Sequence, residues 1–284
     1  MQYQKFRDIL NETLLGDERV QLFERMAKNP ERFIGLFRPS VPRQKLLQNI
    51  LQNREIRFGD AMERVLSSWL HEAGFLLQDP QIAPDLRCDL YFLAPDKQNA
   101  YLVEMKMRDD HDSTKRRGQW DNFERKVRVL HAQHGRHLTA VFYFLDPALS
   151  KNRTFYIANC QRLARELPLP AIFLWYGPEL FQHLTSAQDW QQLLYFLDQW
   201  KQELTDIEML NMESPEALRE LSALDTRVWR QIANTDAFWD ESFVRTLFPT
   251  GEGLRQIASQ LERQDRNLAE MLRRRIRKLY TGFA

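Results

Sequence analysis

The sequence predicts an α/β fold in which a mixed β-sheet is flanked by helices, with additional helical regions at both ends. Three observations predict this fold. Short apolar runs rich in β-branched and aromatic residues lie between residues 88 and 177, and helical patterns separate them. Helical patterns also precede these runs, and from about Ala187 onward the chain contains helical patterns alone. A strand pair followed by alternating helices and strands is typical of a mixed sheet.

The N-terminal region, residues 1–54, is predicted to be helical. Its patterns FRDILNETLL, RVQLFERMA and RQKLLQNILQ space apolar residues by three and four. From Phe58, the pattern FGDAMERVLSSWLHEAGF predicts a further helix that buries Ala73 and ends at Gly74. This helix lies near the start of a predicted core over residues 55–185.

The core continues with CDLYFL at residues 88–93 and YLVEMKM at residues 101–107. The turn residues of APDKQN separate these runs, so they predict adjacent antiparallel strands. A helix is predicted to begin after Asp112 or Ser113, either of which is a good N-cap, and to end at Gly135. HLTAVFYFL and AIFLWYG predict buried strands, and NCQRLARELP predicts the helix between them.

Composition narrows the class of protein. The 284 residues are 43% hydrophobic, which is enough for a packed core and excludes a disordered chain. The longest apolar run, near residues 139–145, is far shorter than a membrane span, and MQYQKFRDIL lacks the apolar core of a signal peptide. We therefore expect a cytoplasmic protein without a membrane partner. Cys88 and Cys160 are too few for a disulfide framework or a zinc site and are expected to be buried thiols.

Positive charge is concentrated in two short segments. The net charge of the chain is only +1, yet residues 105–136 and residues 251–284 each carry four more basic than acidic residues. The second segment ends the helical C-terminal region predicted over residues 186–284. Such concentrations are what a phosphate-binding surface requires, although a solvated helix face explains the C-terminal segment equally well.

The charged residues of the second strand stand out. Side chains alternate across a strand, so Glu104 and Lys106 share a face, where an isolated surface ion pair would contribute less than about 1 kcal/mol. If the two strands form a hairpin, however, Asp89 comes opposite this pair. Two carboxylates with water at the other positions suit Mg²⁺, and a neighbouring lysine can orient an attacking water.

Asp89, Glu104, Met105 and Lys106 resemble the D…(D/E)-x-K signature of the PD-(D/E)XK nucleases, a superfamily that includes most type II restriction endonucleases. The order of helices and strands over roughly residues 55–180 resembles the αβββαβ core of that superfamily. The resemblance implies a restriction-endonuclease-like fold, in which Asp89, Glu104 and the Met105 carbonyl bind Mg²⁺ and Lys106 lies at the attacking water. It does not identify the subfamily.

The aspartate of the signature has an alternative. The Pro-Asp dipeptide of the superfamily is absent at Asp89, which follows Cys88, whereas a literal Pro-Asp pair stands at Pro84 and Asp85. We favour Asp89 because it is predicted to lie within the apolar strand, and Asp85 remains open as the ligand.

Two further residues are candidates for the catalytic site by resemblance. Related enzymes often place a glutamate on the helix before the sheet, and Glu63 shares a helix face with Leu66 and Leu70. An exposed glutamate near the start of the helix is the alternative. Gln119 lies on the predicted helix that follows the two adjacent strands, where it either faces the active site or is solvated.

Basic residues at two helices are candidates for DNA binding. The start of a helix offers backbone N–H groups to phosphates together with side-chain charge, and a C-terminal helix could enter the major groove. The candidates are Lys115, Arg116, Arg117, Arg273, Arg274, Arg277 and Lys278.

The function implied is that of a Mg²⁺-dependent, sequence-specific endonuclease of double-stranded DNA, of the type II restriction class. By analogy with that class we expect a homodimer on a palindromic site. Two alternatives stay open: a nuclease of the same fold that acts on structured DNA in repair or mobile elements, and a DNA-binding protein without catalysis.

Overall fold

A computed structural model describes residues 1–16, 18–34, 37, 39–167, 171–204 and 211–280 of the chain. Helices dominate this part of the molecule, and none of the described helices is long and apolar enough to cross a membrane. In chain order they are α1 (Tyr3–Leu14), α2 (Glu18–Lys28), α3 (Pro42–Glu72), α4 (Ser113–His134), α5 (Arg153–Glu166), α6 (Pro178–Leu184), α7 (Ala187–Glu203), α8 (Pro215–Ser222), α9 (Thr226–Asn234), α10 (Glu241–Leu247), α11 (Glu252–Leu261) and α12 (Arg266–Tyr280).

The strands of the described residues form one larger and one smaller sheet. They are β1 (Leu76–Leu77), β2 (Gln81–Ala83), β3 (Leu86–Arg87), β4 (Leu90–Leu93), β5 (Ala100–Lys106), β6 (Leu138–Phe144) and β7 (Ala171–Tyr176). The larger sheet has five strands in the order β1-β4-β5-β6-β7, and β2 pairs with β3 separately. Strand β4 runs antiparallel to β5, whereas β5, β6 and β7 run parallel. The predicted mixed α/β fold with helical terminal regions is confirmed.

Helices α4 and α5 pack on one face of this sheet. Trp120 and Phe123 of α4, Phe142 of β6 and Tyr156 of α5 belong to a single buried cluster. The rings of Phe142 and Tyr156 lie 4.7 Å apart, centroid to centroid. Burial of such large rings is the main stabilising contribution in a core of this kind. It also fixes α4 against the carboxyl ends of β5 and β6, where polar side chains collect.

Two compact units make up the chain. One comprises Met1–Thr13 and Arg57–Leu204 and contains the sheet, and the other comprises Leu14–Ile56 and Thr205–Ala284. The described part of the second unit is helical, and its core surrounds the buried Trp229. Helix α3 contributes residues to both units. The three-segment division of the chain predicted from the sequence stays a prediction.

Several local predictions differ from the structure. The helices expected before and after Phe58 are one continuous helix, α3, of 31 residues. It has no proline after its first position, and its single interior glycine, Gly59, only weakens a helix. Ala73 lies beyond the end of α3 and is exposed rather than buried. Strands β1, β2 and β3 are too short to be recognised from sequence.

The two cysteines are free and buried, as predicted. Burial raises the pKa of Cys88 and of Cys160 to about 12, so both remain thiols at neutral pH.

Candidate active site

The start of β4 and the end of β5 form the candidate active site. Leu90 pairs with Val103, so the residue before β4 comes opposite Glu104. Asp89 occupies that position in a bend just outside the strand, not inside it as predicted. Its side chain leaves the ladder and accepts a hydrogen bond of 2.8 Å from the backbone N–H of Met105. This bond fixes the Asp89 carboxylate beside the Glu-x-Lys triplet.

Three oxygen atoms converge on one cation at this point. The Lys106 ammonium lies 3.0 Å from Asp89 Oδ2, 2.8 Å from Glu104 Oε1 and 2.8 Å from the Met105 carbonyl oxygen. These are the three groups that the D…(D/E)-x-K resemblance assigns to Mg²⁺. The ammonium therefore marks a position where a cation is surrounded by hard oxygen donors, which is the donor set that Mg²⁺ takes.

The fit to a metal ion rests on two carboxylates and one carbonyl. Among the described residues, no group of three or more His, Cys, Asp or Glu side chains is arranged to hold a metal. Mg²⁺ does not need such a cage, because it usually keeps several waters and takes only one or two carboxylates from the protein. Asp89, Glu104 and the Met105 carbonyl thus offer oxygen donors of the chemistry that suits Mg²⁺.

The alternative aspartate lies outside this cluster. The side chain of Asp85 is 71% exposed and pairs with Arg125 at 2.7 Å, whereas that of Asp89 is 16% exposed. The Arg125 guanidinium holds the pKa of the Asp85 carboxyl below its usual value. The structure brings Asp89, not Asp85, to the Glu104 and Lys106 side chains.

A comparison with known families agrees with this geometry. Residues 77–201 match the HinfI family of type II restriction endonucleases. The match includes Asp89, Glu104, Met105 and Lys106, and it confirms the resemblance that the sequence carries. It supports a nuclease of the type II restriction kind, and such a nuclease binds DNA. Neither the curated proteins nor the solved structures compared with the chain give a match.

Glu63 lies before the HinfI match, on α3, and its carboxyl is partly buried. Burial and the nearby carboxylate of Asp89 raise its pKa to about 7, and Lys106 opposes this shift. Glu63 is therefore within electrostatic range of the cluster, which agrees with the inward orientation considered from sequence. A carboxyl with a pKa near 7 can exchange a proton at neutral pH.

The neighbouring carboxylates stabilise the protonated form of Lys106. Burial alone would lower its pKa, but Glu104 and Asp89 outweigh burial and raise the pKa above the ordinary value. Lys106 is therefore an ammonium and a hydrogen-bond donor throughout the neutral range.

Lys126 is the residue of this site that the sequence analysis missed. It lies within the HinfI match on α4, is 2% exposed, and pairs with Glu104 Oε2 at 2.5 Å. Its ammonium is also 3.7 Å from Asp89 Oδ1. A signal was present, because position 126 falls beside Phe123 and Val127 on the apolar stripe of α4, where a lysine is unexpected.

Gln119 is partly buried and its side-chain oxygen accepts a hydrogen bond of 3.1 Å from the Tyr156 hydroxyl. Tyr156 lies close enough to Lys106 for the ammonium to affect its pKa, although burial is the larger influence and raises it. Gln119 is thus held against Tyr156 of α5.

The predicted DNA-binding residues at the start of α4 have different surroundings. Lys115 and Arg117 are exposed, and Asp112 caps the helix by accepting from the backbone N–H groups of Thr114 and Lys115. Arg116 is partly buried and donates to Asn152 Oδ1 at 2.8 Å.

A buried network fixes that arginine. The fully buried Asp109 accepts hydrogen bonds from the Asn152 backbone and side-chain amides, each at 2.9 Å, and from the Tyr176 hydroxyl at 3.0 Å. Because Asn152 also accepts a hydrogen bond from Arg116, this network fixes the Arg116 guanidinium relative to Asp109, which follows β5.

The C-terminal basic residues lie on α12, outside the HinfI match. Arg274, Arg277 and Lys278 are exposed, and Arg273 pairs with Glu262. The guanidinium of Arg275 instead pairs with Asp236 and donates a hydrogen bond to the Ala233 carbonyl. The opposite, buried face of the helix is Leu268, Ala269, Leu272, Ile276 and Tyr280.

Proposed function

We propose that this protein is a Mg²⁺-dependent, sequence-specific endonuclease that hydrolyses phosphodiester bonds of double-stranded DNA. The observation that carries the proposal is the convergence of Asp89 Oδ2, Glu104 Oε1 and the Met105 carbonyl on one cation position, at 2.8–3.0 Å. This arrangement lies within the segment that matches the HinfI family.

Asp89, Glu104 and the Met105 carbonyl would hold the ion. When bound, Mg²⁺ supplies stabilisation of the negative charge that develops on the phosphate. Lys106 would then leave the position it now takes and donate a hydrogen bond toward the attacking water or the phosphate. It retains its proton in this role, because the neighbouring carboxylates favour the ammonium form.

Glu63 is suited to accept the proton of the attacking water. The water oxygen forms a bond to phosphorus while the bond from phosphorus to the departing sugar oxygen breaks, so one proton must be taken up. A carboxyl with a pKa of about 7 is poised for that transfer near neutral pH. Solvent returns a proton to the departing oxygen.

DNA would be bound through its phosphates by the exposed basic residues. Lys115 and Arg117 are exposed near the start of α4, and the partly buried Arg116 lies between them in sequence. The same helix carries Lys126 into the cluster. The exposed residues of α12 supply a second basic surface, which suits either phosphate contacts or contacts to guanine in the major groove. We infer a homodimer, because two copies acting on a palindromic site cleave both strands symmetrically.

The test is cleavage of plasmid DNA by the purified protein with Mg²⁺ and with EDTA. Discrete, reproducible fragments that require Mg²⁺ are expected, and the sequences of their ends give the recognition site. Cutting that is restricted to branched or nicked DNA would replace sequence specificity with structure specificity. No cutting of any of these substrates would favour the DNA-binding protein without catalysis.

A matched pair of variants tests the site. Asp89→Asn removes a charge from the cluster, whereas Asp85→Asn removes an equivalent charge four residues earlier from an exposed loop. Cleavage should be abolished by the first and unchanged by the second, while both variants remain folded. Equal activity of the two variants would contradict the assignment of Asp89.

A further inference from the structure

Two ammonium groups bridge the same pair of carboxylates from opposite sides. Lys106 contacts Asp89 Oδ2 and Glu104 Oε1 at 3.0 and 2.8 Å. Lys126 contacts the other oxygen of each carboxylate, Asp89 Oδ1 at 3.7 Å and Glu104 Oε2 at 2.5 Å. All four carboxylate oxygens of Asp89 and Glu104 therefore face a cation already.

The two lysines differ in what surrounds them. The Lys106 side chain is 24% exposed and sits at the end of β5, so it can swing outward into water. The Lys126 side chain is 3% exposed and rises from the apolar stripe of α4, between Phe123 and Val127. A buried ammonium that leaves its carboxylate partner and does not reach water is left as an unpaired charge, which has a large desolvation penalty. Lys106 can yield its position, and Lys126 cannot.

We propose that Lys126 is a permanent cation of the active site, which positions Glu104 and restricts each chain to a single divalent ion at the place of the Lys106 ammonium. This inference rests on the proposed function and specifies its metal requirement. Lys126 is a positioning residue, because it touches a ligand of the ion rather than the reacting atoms.

The charge of Lys126 explains why a second divalent ion is disfavoured. With Lys126 in place, Asp89 and Glu104 present one net negative charge to a metal after Lys106 has moved away. A second divalent ion on the α4 side would have to displace or approach the buried ammonium, and like charges at such distances repel strongly. Removal of Lys126 should therefore make the site bind divalent ions more tightly.

Mn²⁺ titration of the DNA-free protein, with the free ion counted by electron paramagnetic resonance, tests the proposal. We expect one ion per chain for the unaltered protein. Lys126→Met, which keeps the shape of the side chain without its charge, should bind Mn²⁺ at least about tenfold more tightly. Lys126→Arg, which keeps the charge, should stay within about threefold of the unaltered protein. A second ion, if one binds, should occur only in Lys126→Met.

The outcomes separate this proposal from the proposed function. Two ions per chain in the unaltered protein would overturn the single-ion site, and that count remains decisive if Lys126→Met does not fold. Unchanged or weaker Mn²⁺ binding by a folded Lys126→Met would show that Lys126 only fills space. Absence of any Mn²⁺ binding by the unaltered protein, together with absence of cleavage, would instead contradict the proposed function.

Discussion

The two basic segments of the chain have the same excess of positive charge but use it differently. In residues 105–136, Lys106 and Lys126 are enclosed by carboxylates at the sheet, and Arg116 is held by a buried asparagine. On α12, in residues 251–284, Arg274 and Lys278 face solvent opposite an apolar stripe. The difference shows that charge count alone identifies neither surface. The proposed roles differ accordingly, with chemistry assigned to the sheet segment and phosphate binding to the helical segment.

The largest expected difference between the two segments is in DNA cleavage. Lys106→Ala should lower the cleavage rate at saturating protein by at least about 100-fold, because it removes a donor beside the reacting phosphate. Arg274→Ala should leave the rate at saturation within about twofold, since Arg274 lies on the exposed face of α12. Single-turnover cleavage with protein in excess over DNA measures both. Similar losses in the two variants would contradict the comparison.

The second difference is in the free energy of unfolding. Lys126→Ala leaves Glu104, which is 1% exposed, without its closest partner, and should cost about 3–5 kcal/mol in EDTA. Lys278→Ala removes an exposed lysine and should change stability by less than about 0.5 kcal/mol. Urea unfolding of both variants checks these values. A loss of stability below about 1 kcal/mol for Lys126→Ala would mean that the Lys126 ammonium does not stabilise the buried Glu104 carboxylate.

The third expectation concerns pH. The pKa of Glu63 is about 7 in the folded protein against 4.5 ordinarily, so the folded state keeps a proton that the unfolded state releases. The free energy of unfolding should therefore fall by an amount on the order of 2–3 kcal/mol as pH rises from about 4.5 to 7. Above pH 7 the contribution of Glu63 should not change further. Glu63→Gln should lack this component.

Urea unfolding of the unaltered protein and Glu63→Gln at pH 5 and pH 8, both in EDTA, isolates the contribution of Glu63. The difference in stability between the two pH values should be smaller in the variant. An identical pH dependence in the two proteins would place Glu63 outside the electrostatic range of the cluster.

The smallest expected effect is on DNA affinity at α12. The double variant Arg274→Ala with Lys278→Ala should weaken DNA binding by about fivefold to tenfold at low salt, without preference for sequence. The slope of log affinity against log salt should fall by about 2, since two phosphate contacts are lost. Fluorescence anisotropy at several salt concentrations measures both quantities. A changed site preference with an unchanged slope would instead indicate contacts to bases.

Much of the sheet could be predicted because its sequence signals are local. Alternation and turn residues predicted β4 and β5 as a hairpin, and this pairing was enough to bring Asp89 opposite Glu104. The helix after them was predicted to be capped by Asp112 or Ser113 and to end at Gly135, because capping residues act within one turn. The structure uses Asp112 as the N-cap and Gly135 as the C-cap.

The rest depended on contacts between distant parts of the chain. Lys126 was missed because a lysine within a helix is ordinarily solvated, and only the register of α4 against β5 places it on Glu104. Asp109 lies close to the basic residues of α4 in sequence, yet it binds Asn152, which lies 43 positions along the chain. The stripe position of Lys126 signals burial but does not identify Glu104 as its partner, and the pairing of Asp109 with Asn152 leaves no periodic signal at all.

A crystal structure of the protein soaked with Mn²⁺ would show directly which residues bind the ion, because anomalous scattering locates the ion independently of the protein atoms. We expect one anomalous peak per chain, bound by Asp89, Glu104 and the Met105 carbonyl, with the Lys106 ammonium moved away and Lys126 still on Glu104. A peak at Asp85, or a cluster that binds no ion with Lys106 still between its carboxylates, would contradict it.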